Sequence, residues 1–207
     1  MLNRRKLNVA LEVAGVLAYD PVFLDTETTG LDDRAEVVEV AVIALDGRVL
    51  VDSLVRPTIP IPGTATAVHG IGPMDVADAP TLTELWPKLA AAIEGHVVVI
   101  YNAAYDIRAL HQSARACSIG LLPWTSPHFC MMTAYAEYWG DWSEYHGNYK
   151  WQSLGAAAFQ QQLAAPEDLH RARADAELTR RLACHVVAAQ LSALAAGTPI
   201  RVGVSGC

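Results

Sequence analysis

Apolar and polar positions in the first quarter of the chain predict three consecutive β-strands. A short apolar run covers residues 21–25, and two longer ones follow at 36–45 and 48–55. Asp46-Gly47 stands between the latter two, and this dipeptide favours a tight hairpin turn. We therefore expect three antiparallel neighbours, followed by a Pro- and Gly-rich loop over 58–75 with a turn of helix.

The remaining chain alternates helical and strand patterns. Thr81, with Glu84 three residues on, begins a helix with a capping-box pattern, and Gly95 follows its end. The continuous apolar run at 96–101 is typical of a buried strand. A strand near 128 passing into a helix is expected next, and further helices are expected over 103–117, 153–162 and 172–197. Three meandering strands followed by βα units predict an α/β fold, a mixed sheet with helices on both faces.

The N-terminal segment, residues 3–18, imitates a signal peptide because basic residues precede an apolar run. Glu12 interrupts that run, no small-residue cleavage site follows, and the run is too short to span a bilayer. The spacing instead predicts an amphipathic helix with an apolar face of Leu7, Leu11, Ala14 and Leu17. We expect residues 1–20 to form a helix packed on a single domain at 21–197, with a C-terminal tail at 198–207.

Composition limits the class of protein. The 207 residues, 52% of them hydrophobic, suffice for one sizeable core. The formal net charge of −7 argues against a broad basic face that grips duplex nucleic acid, but it is compatible with an acidic site that draws in divalent cations. The cysteines lie outside metal-ligand spacing of one another: Cys117, Cys130, Cys184 and Cys207. Reduced, partly buried thiols at the first three would suit a cytoplasmic protein.

Acidic residues follow several of the predicted strands and helix starts. Asp25 and Glu27 are two residues apart, so on a strand both side chains point the same way. Like charges side by side repel unless a cation lies between them; the alternative is a surface strand end. Asp106 comes just after the strand at 96–101, and Asp175 lies early in the last helix. Taken singly, Asp106 is more typical of a helix N-terminal acid that interacts with the helix dipole, and Asp175 of a solvated helix face beside Arg171 and Arg173.

Three motifs in the order DTETTG (25–30), NAAYD (102–106) and HRARAD (170–175) resemble the DEDD exonuclease superfamily. The third motif is similar to the histidine branch, H-x-A-x-x-D-A, and VHGI at 68–71 is similar to the loop between the first two motifs. The proofreading subunit of bacterial replicative polymerase is the best-known member. The resemblance covers residues 20–185 and implies a ribonuclease H-like α/β fold with a mixed five-stranded sheet flanked by helices.

The resemblance also implies the chemistry of the site. It implies two Mg²⁺ ions, for which Mn²⁺ can substitute, and carboxylate oxygens are the hard ligands that these ions prefer. Asp25 would bridge both ions, Glu27 and Asp175 would complete one, and Asp106 would support the site directly or through water. His170 would be the general base on the attacking water.

The terminal nucleotide would meet a second group of residues, which the resemblance places around the first two motifs. These are Thr28, Leu31, His69, Asn102 and Tyr105. The alternative for His69 is a loop histidine bonded to its own backbone, and Asn102 more often orders a strand end than contacts substrate.

The implied activity is 3′–5′ exonuclease action on the 3′ ends of single-stranded nucleic acid, DNA favoured over RNA, with release of nucleoside 5′-monophosphates. We expect a stand-alone enzyme or one loosely associated with a DNA polymerase, without a membrane. Two alternatives stay open: a metal-dependent endonuclease of the same fold, and a catalytically inactive nucleic-acid-binding or scaffold module. The sequence does not determine the oligomeric state.

Two further groups of residues allow contact with a strand. The segment 135–151 is rich in tyrosine and tryptophan, and we expect most of these rings to pack on the domain and one or two to meet bases, with Lys150 near a phosphate. Arg108, Arg171 and Arg173 adjoin the motifs, where they either contact the phosphate backbone or are solvated helix arginines.

Overall fold

The computed structural model describes residues 2–119, 126–166, 168–196 and 200–201. The strands are β1 (Leu2–Asn3), β2 (Val22–Thr28), β3 (Val37–Ala44), β4 (Val49–Leu54), β5 (Val98–Ile100), β6 (His128–Cys130), β7 (Trp142–Ser143), β8 (Asn148–Tyr149) and β9 (Ile200–Arg201). The helices are α1 (Arg4–Leu17), α2 (Gly63–His69), α3 (Leu82–Ile93), α4 (Ala103–Ala116), α5 (Met131–Trp139), α6 (Leu154–Gln160) and α7 (Ala172–Ala195).

The main sheet has five strands in the order β4-β3-β2-β5-β6. β3 is antiparallel to both β2 and β4, whereas β5 runs parallel to β2 and to β6. The mixed five-stranded sheet and the antiparallel meander are therefore confirmed. β2 continues to Thr28, beyond the expected end at Asp25, because β3 pairs with it throughout; a register shift follows Glu27.

Helices cover both faces of this sheet. On one face, α3 and α4 pack over Leu24 and Val42, among other apolar residues. On the other, α1, α5 and α7 pack over Phe23 and Val99. Because side chains alternate along a strand, Asp25 and Glu27 share the face of Phe23, the face on which α7 lies.

α1 was predicted correctly as a helix, but its apolar face was assigned wrongly. Val9, Ala10 and Val13 are buried against α5 and α7, whereas Leu11 is 54% exposed. Apolar residues occur almost all round this helix, so spacing alone did not select the face that tertiary packing buries. The division into 1–20, 21–197 and 198–207 stays a prediction; Gly197 and Cys207 lie outside the described residues, and β9 pairs in parallel with β1.

Local signals explain where several helices begin and end. The capping box is present, since the Thr81 hydroxyl accepts from the amide of Glu84, whose carboxylate accepts from the Thr81 amide in return. α2 has two turns where the sequence indicated one, and the two-residue strands β7 and β8 were not foreseen. Cys117, Cys130 and Cys184 are free and partly buried, as expected. Within the described ranges, no helix is long and apolar enough to cross a membrane.

Candidate active site

Three carboxylates converge beside the sheet, on the face that α7 covers. Asp25 and Glu27 project from β2, and Asp175 comes from the N-terminal part of α7. One oxygen from each lies within 4.8 Å of the others. The three residues are partly buried. The structure thus brings together acids that are about 150 residues apart in the chain, in an arrangement that can hold a cation.

Asp106 is connected to this group through hydrogen bonds to the backbone and side chain of β2. β2 pairs with β5 through Val22 and Phe23, and Thr26 lies beyond this pairing. The backbone amide and hydroxyl of Thr26 both donate to Asp106 Oδ1, at 3.0 and 2.7 Å. The Asp106 carboxylate therefore takes the hydrogen bond that a neighbouring strand would otherwise accept. It holds β2 where the two parallel strands diverge, which is the usual crevice for a site in such sheets.

His170 comes two residues before the first residue of α7. Its side chain is exposed, and its backbone lies in the left-handed region with φ of +67°. Burial raises the pKa of Asp175 to about 6, while the positive charge and backbone amide of His170 act in the opposite direction. His170 is therefore close enough to Asp175 to influence its charge, and its exposed ring is accessible to solvent.

When no cation is bound, the pKa values of these carboxyl groups lie above their ordinary values, so the groups keep their protons to a higher pH than usual. Burial raises the pKa of Glu27 to about 8, and the charge of Asp175 adds to the effect. Burial, followed by repulsion from Asp106, raises the pKa of Asp25 well above its ordinary value. Burial also raises the pKa of Asp106 to about 7, although both hydrogen bonds from Thr26 oppose the shift. Such shifts are typical of functional clusters of like charge.

The donor set fits a divalent cation. Asp175 Oδ1 is buried and accepts no hydrogen bond from the residues that the structure describes. A buried, unpartnered carboxylate oxygen is costly unless something else binds it. Carboxylate oxygens are the ligands of Mg²⁺, Mn²⁺ and Ca²⁺, and a cation at this point would also relieve the repulsion among the three acids.

Glu39 was not among the predicted site residues, although it determines where α7 begins. It lies on β3 opposite Glu27 and is 3% exposed. Its carboxylate accepts from the Arg171 guanidinium and, at 2.8 Å, from the amide of Ala172, the first residue of α7. It thereby fixes the segment that carries His170 and Asp175. The signal in the sequence was a glutamate in the middle of an otherwise continuous apolar strand.

The predicted nucleotide contacts fall into an anchoring group and an exposed group. Tyr105 donates its hydroxyl to the Gly30 carbonyl at 2.8 Å and also contacts the buried Thr28 hydroxyl, so both hold the turn after β2. Leu31, 80% exposed, and Asn102, also exposed, are free to meet a ligand. Contact of these residues with a nucleotide stays a prediction.

His69 is buried and both of its ring nitrogens bind backbone. Nδ1 accepts from the Ile71 amide at 3.0 Å, so Nε2 carries the proton and donates to the Thr28 carbonyl at 3.2 Å. The structure therefore contains the backbone-bonded arrangement that the sequence left as the alternative. His69 would affect a bound nucleotide through Thr28. A direct contact between His69 and the nucleotide stays a prediction.

The aromatic segment 135–151 divides between core and surface. Tyr135 and Tyr138 are buried in the layer of α1 and α7, whereas Trp142, Tyr145 and Trp151 are exposed. Lys150 forms an ion pair with Asp141 at 3.1 Å. Packing thus accounts for the helical part of this segment, whereas the exposed rings lie at the surface.

The mixed sheet, the acidic cluster at its crevice and the histidine beside it together define a metal-dependent nuclease. Comparison with protein families agrees with this class. The model of the exonuclease family matches residues 22–183, so the chain belongs to that family. Its motifs make it a 3′–5′ exonuclease of the DEDDh type.

Individual relatives agree with this assignment. An uncharacterised exonuclease of Escherichia phage 186 is 40% identical over 167 residues, which cover 79% of this chain and 86% of the relative. A DNA polymerase III subunit epsilon-like protein of Rhodobacter capsulatus is 40% identical over 98 residues, covering 44% of this chain but 14% of that longer protein.

Solved structures show the same fold. Exonuclease X in complex with 5′ overhanging duplex DNA is 27% identical, with a TM-score of 0.62 over 81% of this chain and 91% of that chain. The nuclease domain of 3′hExo, a DEDDh family member bound to rAMP, has a TM-score of 0.63 at 14% identity, covering 90% of this chain and 97% of that chain. The expected ribonuclease H-like fold and exonuclease family are confirmed.

Proposed function

We propose that this protein hydrolyses phosphodiester bonds one at a time from the 3′ end of single-stranded nucleic acid, prefers DNA to RNA and releases nucleoside 5′-monophosphates. The observation that carries the proposal is the convergence of Asp25, Glu27 and Asp175 within 4.8 Å. Asp175 Oδ1, buried and unpartnered among the described residues, provides an oxygen for a cation.

Two divalent cations, Mg²⁺ or Mn²⁺, are part of this proposal. Asp25, Glu27 and Asp175 would hold them, with Asp106 supporting the site from its bond to Thr26. When bound, such ions stabilise the attacking and leaving oxygens of a phosphodiester displacement. Proton transfer and the positioning of the nucleotide come from the protein's own side chains.

His170 accepts the proton of the attacking water in this mechanism. An imidazole can take up a proton near neutral pH, and a positioned base of this kind contributes about 10²- to 10⁴-fold to rate. The exposed position of His170 beside Asp175 supports the role, because water has access to the ring. Leu31 and Asn102 would contact the terminal nucleotide, while Tyr105 holds the turn after β2 through its bonds to Gly30 and Thr28.

Similar proteins support two further parts of the proposal, the preference for DNA and the association with a polymerase. Exonuclease X, 27% identical, is described in complex with DNA, and the Rhodobacter relative is described as epsilon-like. We include a loose association with a DNA polymerase and a cytoplasmic location in the proposal. Partly buried, free cysteines support the latter, since reducing compartments preserve thiols.

The test is degradation of single-stranded DNA and RNA oligonucleotides labelled at either end, in Mg²⁺, Mn²⁺ or EDTA. We expect a metal-dependent ladder that shortens from the 3′ end, faster on DNA, and its loss in Asp25→Asn. Asp46→Asn, at the exposed hairpin turn between β3 and β4, removes the same charge outside the site and should keep full activity. Cleavage within circular single strands would instead indicate the endonuclease alternative.

A catalytically inactive binding module is the second candidate. In that case oligonucleotide binding would persist with folded protein, while neither metal would support cleavage. Mn²⁺ binding measured by calorimetry on the native protein and on Asp175→Asn separates a working metal site from a retained fold. The unpartnered Asp175 oxygen favours the working site.

A further inference from the structure

The outward face of α4 forms a groove with a cationic stripe. Residues 108, 111, 112 and 115 recur at helical spacing and therefore lie on one face, opposite Leu110 and Ala114, which pack on the sheet. The groove has a volume of about 560 Å³, and its polar lining consists of Arg108, His111, Gln112, Arg115, His128 and Asp33. We call it the α4 groove.

Two polar atoms in this groove lack partners among the described residues. His111 Nε2 and Gln112 Oε1 are both buried and make no hydrogen bond. Buried polar atoms of this kind are rare in folded proteins unless a ligand or water binds them. A nucleotide offers both complements, because its phosphate accepts hydrogen bonds and the amino and imino groups of its base donate them.

The arginines of the stripe are available for an anion. Of the arginines next to the sequence motifs, Arg171 is bound to Glu39 and Arg173 to Asp52. Arg108 and Arg115, both exposed, take part in none of the ion pairs found in the described residues. In a chain of net charge −7, this face is a local positive surface, with the exposed Asp33 as the acidic residue of the groove lining.

The N-terminal end of α4 adjoins the acidic cluster, and the α4 groove begins within one turn of it. α4 carries Asp106 in its first turn, and the Arg108 guanidinium lies 5.4 Å from the centre of the Tyr105 ring. Tyr105 in turn holds the turn after β2. The seven residue steps from Arg108 to Arg115 extend about 10 Å along the helix axis, enough for more than one phosphate of a strand.

We propose that the α4 groove binds the phosphodiester backbone of the substrate strand on the 5′ side of the nucleotide that is removed. The proposal rests on the proposed function and adds the path of the strand beyond the catalytic centre. Arginine is suited to this task because its planar guanidinium binds phosphate oxygens in pairs. Affinity for long strands should then depend on salt, since each neutralised phosphate releases a counterion.

The test compares a substrate that fills only the catalytic centre with one that also reaches the groove. The small substrate is the p-nitrophenyl ester of thymidine 5′-monophosphate, and the long one is a single-stranded DNA oligonucleotide. In Arg108→Gln/Arg115→Gln we expect the ratio of the oligonucleotide KM to the ester KM to rise about tenfold. The slope of log affinity against log salt should fall by about 1.4, the value for two phosphate contacts on a single strand.

Arg48→Gln/Arg56→Gln is the matched control, because it removes the same charge from exposed positions outside the groove and the site. Asp33→Asn should lower the oligonucleotide KM. A ratio in the α4 variant equal to that of the control would overturn the proposal.

Equilibrium binding of the labelled oligonucleotide in Ca²⁺, followed by fluorescence anisotropy, makes the groove testable without turnover. If the native protein cleaves neither substrate, the proposed function fails. A tenfold loss of binding in the α4 variant would still support the groove, and unchanged binding would reject it as well.

Discussion

Glu39 and Arg171 form a hydrogen-bonded ion pair, with 2.5 Å between Oε1 and Nη2, that connects the strand beside the catalytic acids to the residue after His170. The same carboxylate accepts the first backbone amide of α7. The position of Asp175 relative to Asp25 therefore depends on a glutamate whose hydrogen bonds go to Arg171 and Ala172.

Glu39→Gln should lower kcat and weaken metal activation without unfolding the protein. The glutamine keeps an acceptor for the Ala172 amide but loses the charge that holds Arg171, so Asp175 is less well placed. Loss of a supporting residue around a metal site typically costs about 10- to 100-fold in affinity or activity. The measurement is kcat against Mg²⁺ concentration. Glu36→Gln is the control, since Glu36 is equally buried but binds Thr58 instead of α7; equal effects of the two variants would contradict the positioning role.

His170→Gln should lower kcat by about 10²- to 10⁴-fold, the range for loss of a general base. Metal binding should change little, because the side chain is exposed and the three acids remain. Single-turnover hydrolysis and Mn²⁺ calorimetry on the same variant separate the two effects. A large loss of Mn²⁺ affinity would show that His170 acts as a ligand and not as a base.

The metal-free protein should become less stable as the pH rises. Unfolded Asp and Glu carboxyls titrate near pH 4, but burial raises the pKa of Asp175 to about 6 and that of Glu27 to about 8 in the fold. Between these values the folded state binds more protons, so the free energy of unfolding falls with pH. We expect the Tm in EDTA to fall from about pH 5 to about pH 8, and Mg²⁺ to reverse much of the fall. A Tm that rises over this interval would refute the protonated cluster.

Two buried threonines should respond in opposite ways to replacement by valine. Thr26 donates its hydroxyl to Asp106, so Thr26→Val should cost about 1–3 kcal/mol, the range for depriving a buried acceptor of its partner. The hydroxyl of Thr179, a residue 1% exposed, has no partner among the described residues, so Thr179→Val should be neutral or stabilising by about 1 kcal/mol. Urea unfolding in EDTA measures both, and a similar loss in the two variants would contradict the assignment.

The sequence predicted those features that depend on local spacing or on a motif. The two-residue spacing placed Asp25 and Glu27 on one face, and the capping box located the start of α3 at Thr81. The three motifs, through the resemblance that they carry, predicted Asp175 beside Asp25 and Glu27, and the structure brings one oxygen of each of these three acids together.

Other features depend on tertiary contacts that no local pattern encodes. The buried face of α1 is selected by α5 and α7, not by its own spacing. Glu39 in a central strand gains its role only when Arg171, 132 residues away, arrives beside it. Asp106 was expected as a metal ligand or as a support of the site. Because β2 diverges from β5 after Phe23, the Thr26 amide has no partner strand on that side and donates to Asp106 Oδ1 instead.

The left-handed backbone of His170 implies a conflict between stability and activity at a single position. The catalytic acids on β2 occupy relaxed strand backbone, whereas a non-glycine residue at φ of +67° carries a conformational cost of about 1–2 kcal/mol. Asparagine adopts this conformation more readily than most non-glycine residues, so His170→Asn should fold at least as stably as the native chain while lacking the proposed base. Selection for thermal stability alone would therefore not retain the histidine, whereas selection for the proposed catalytic role would.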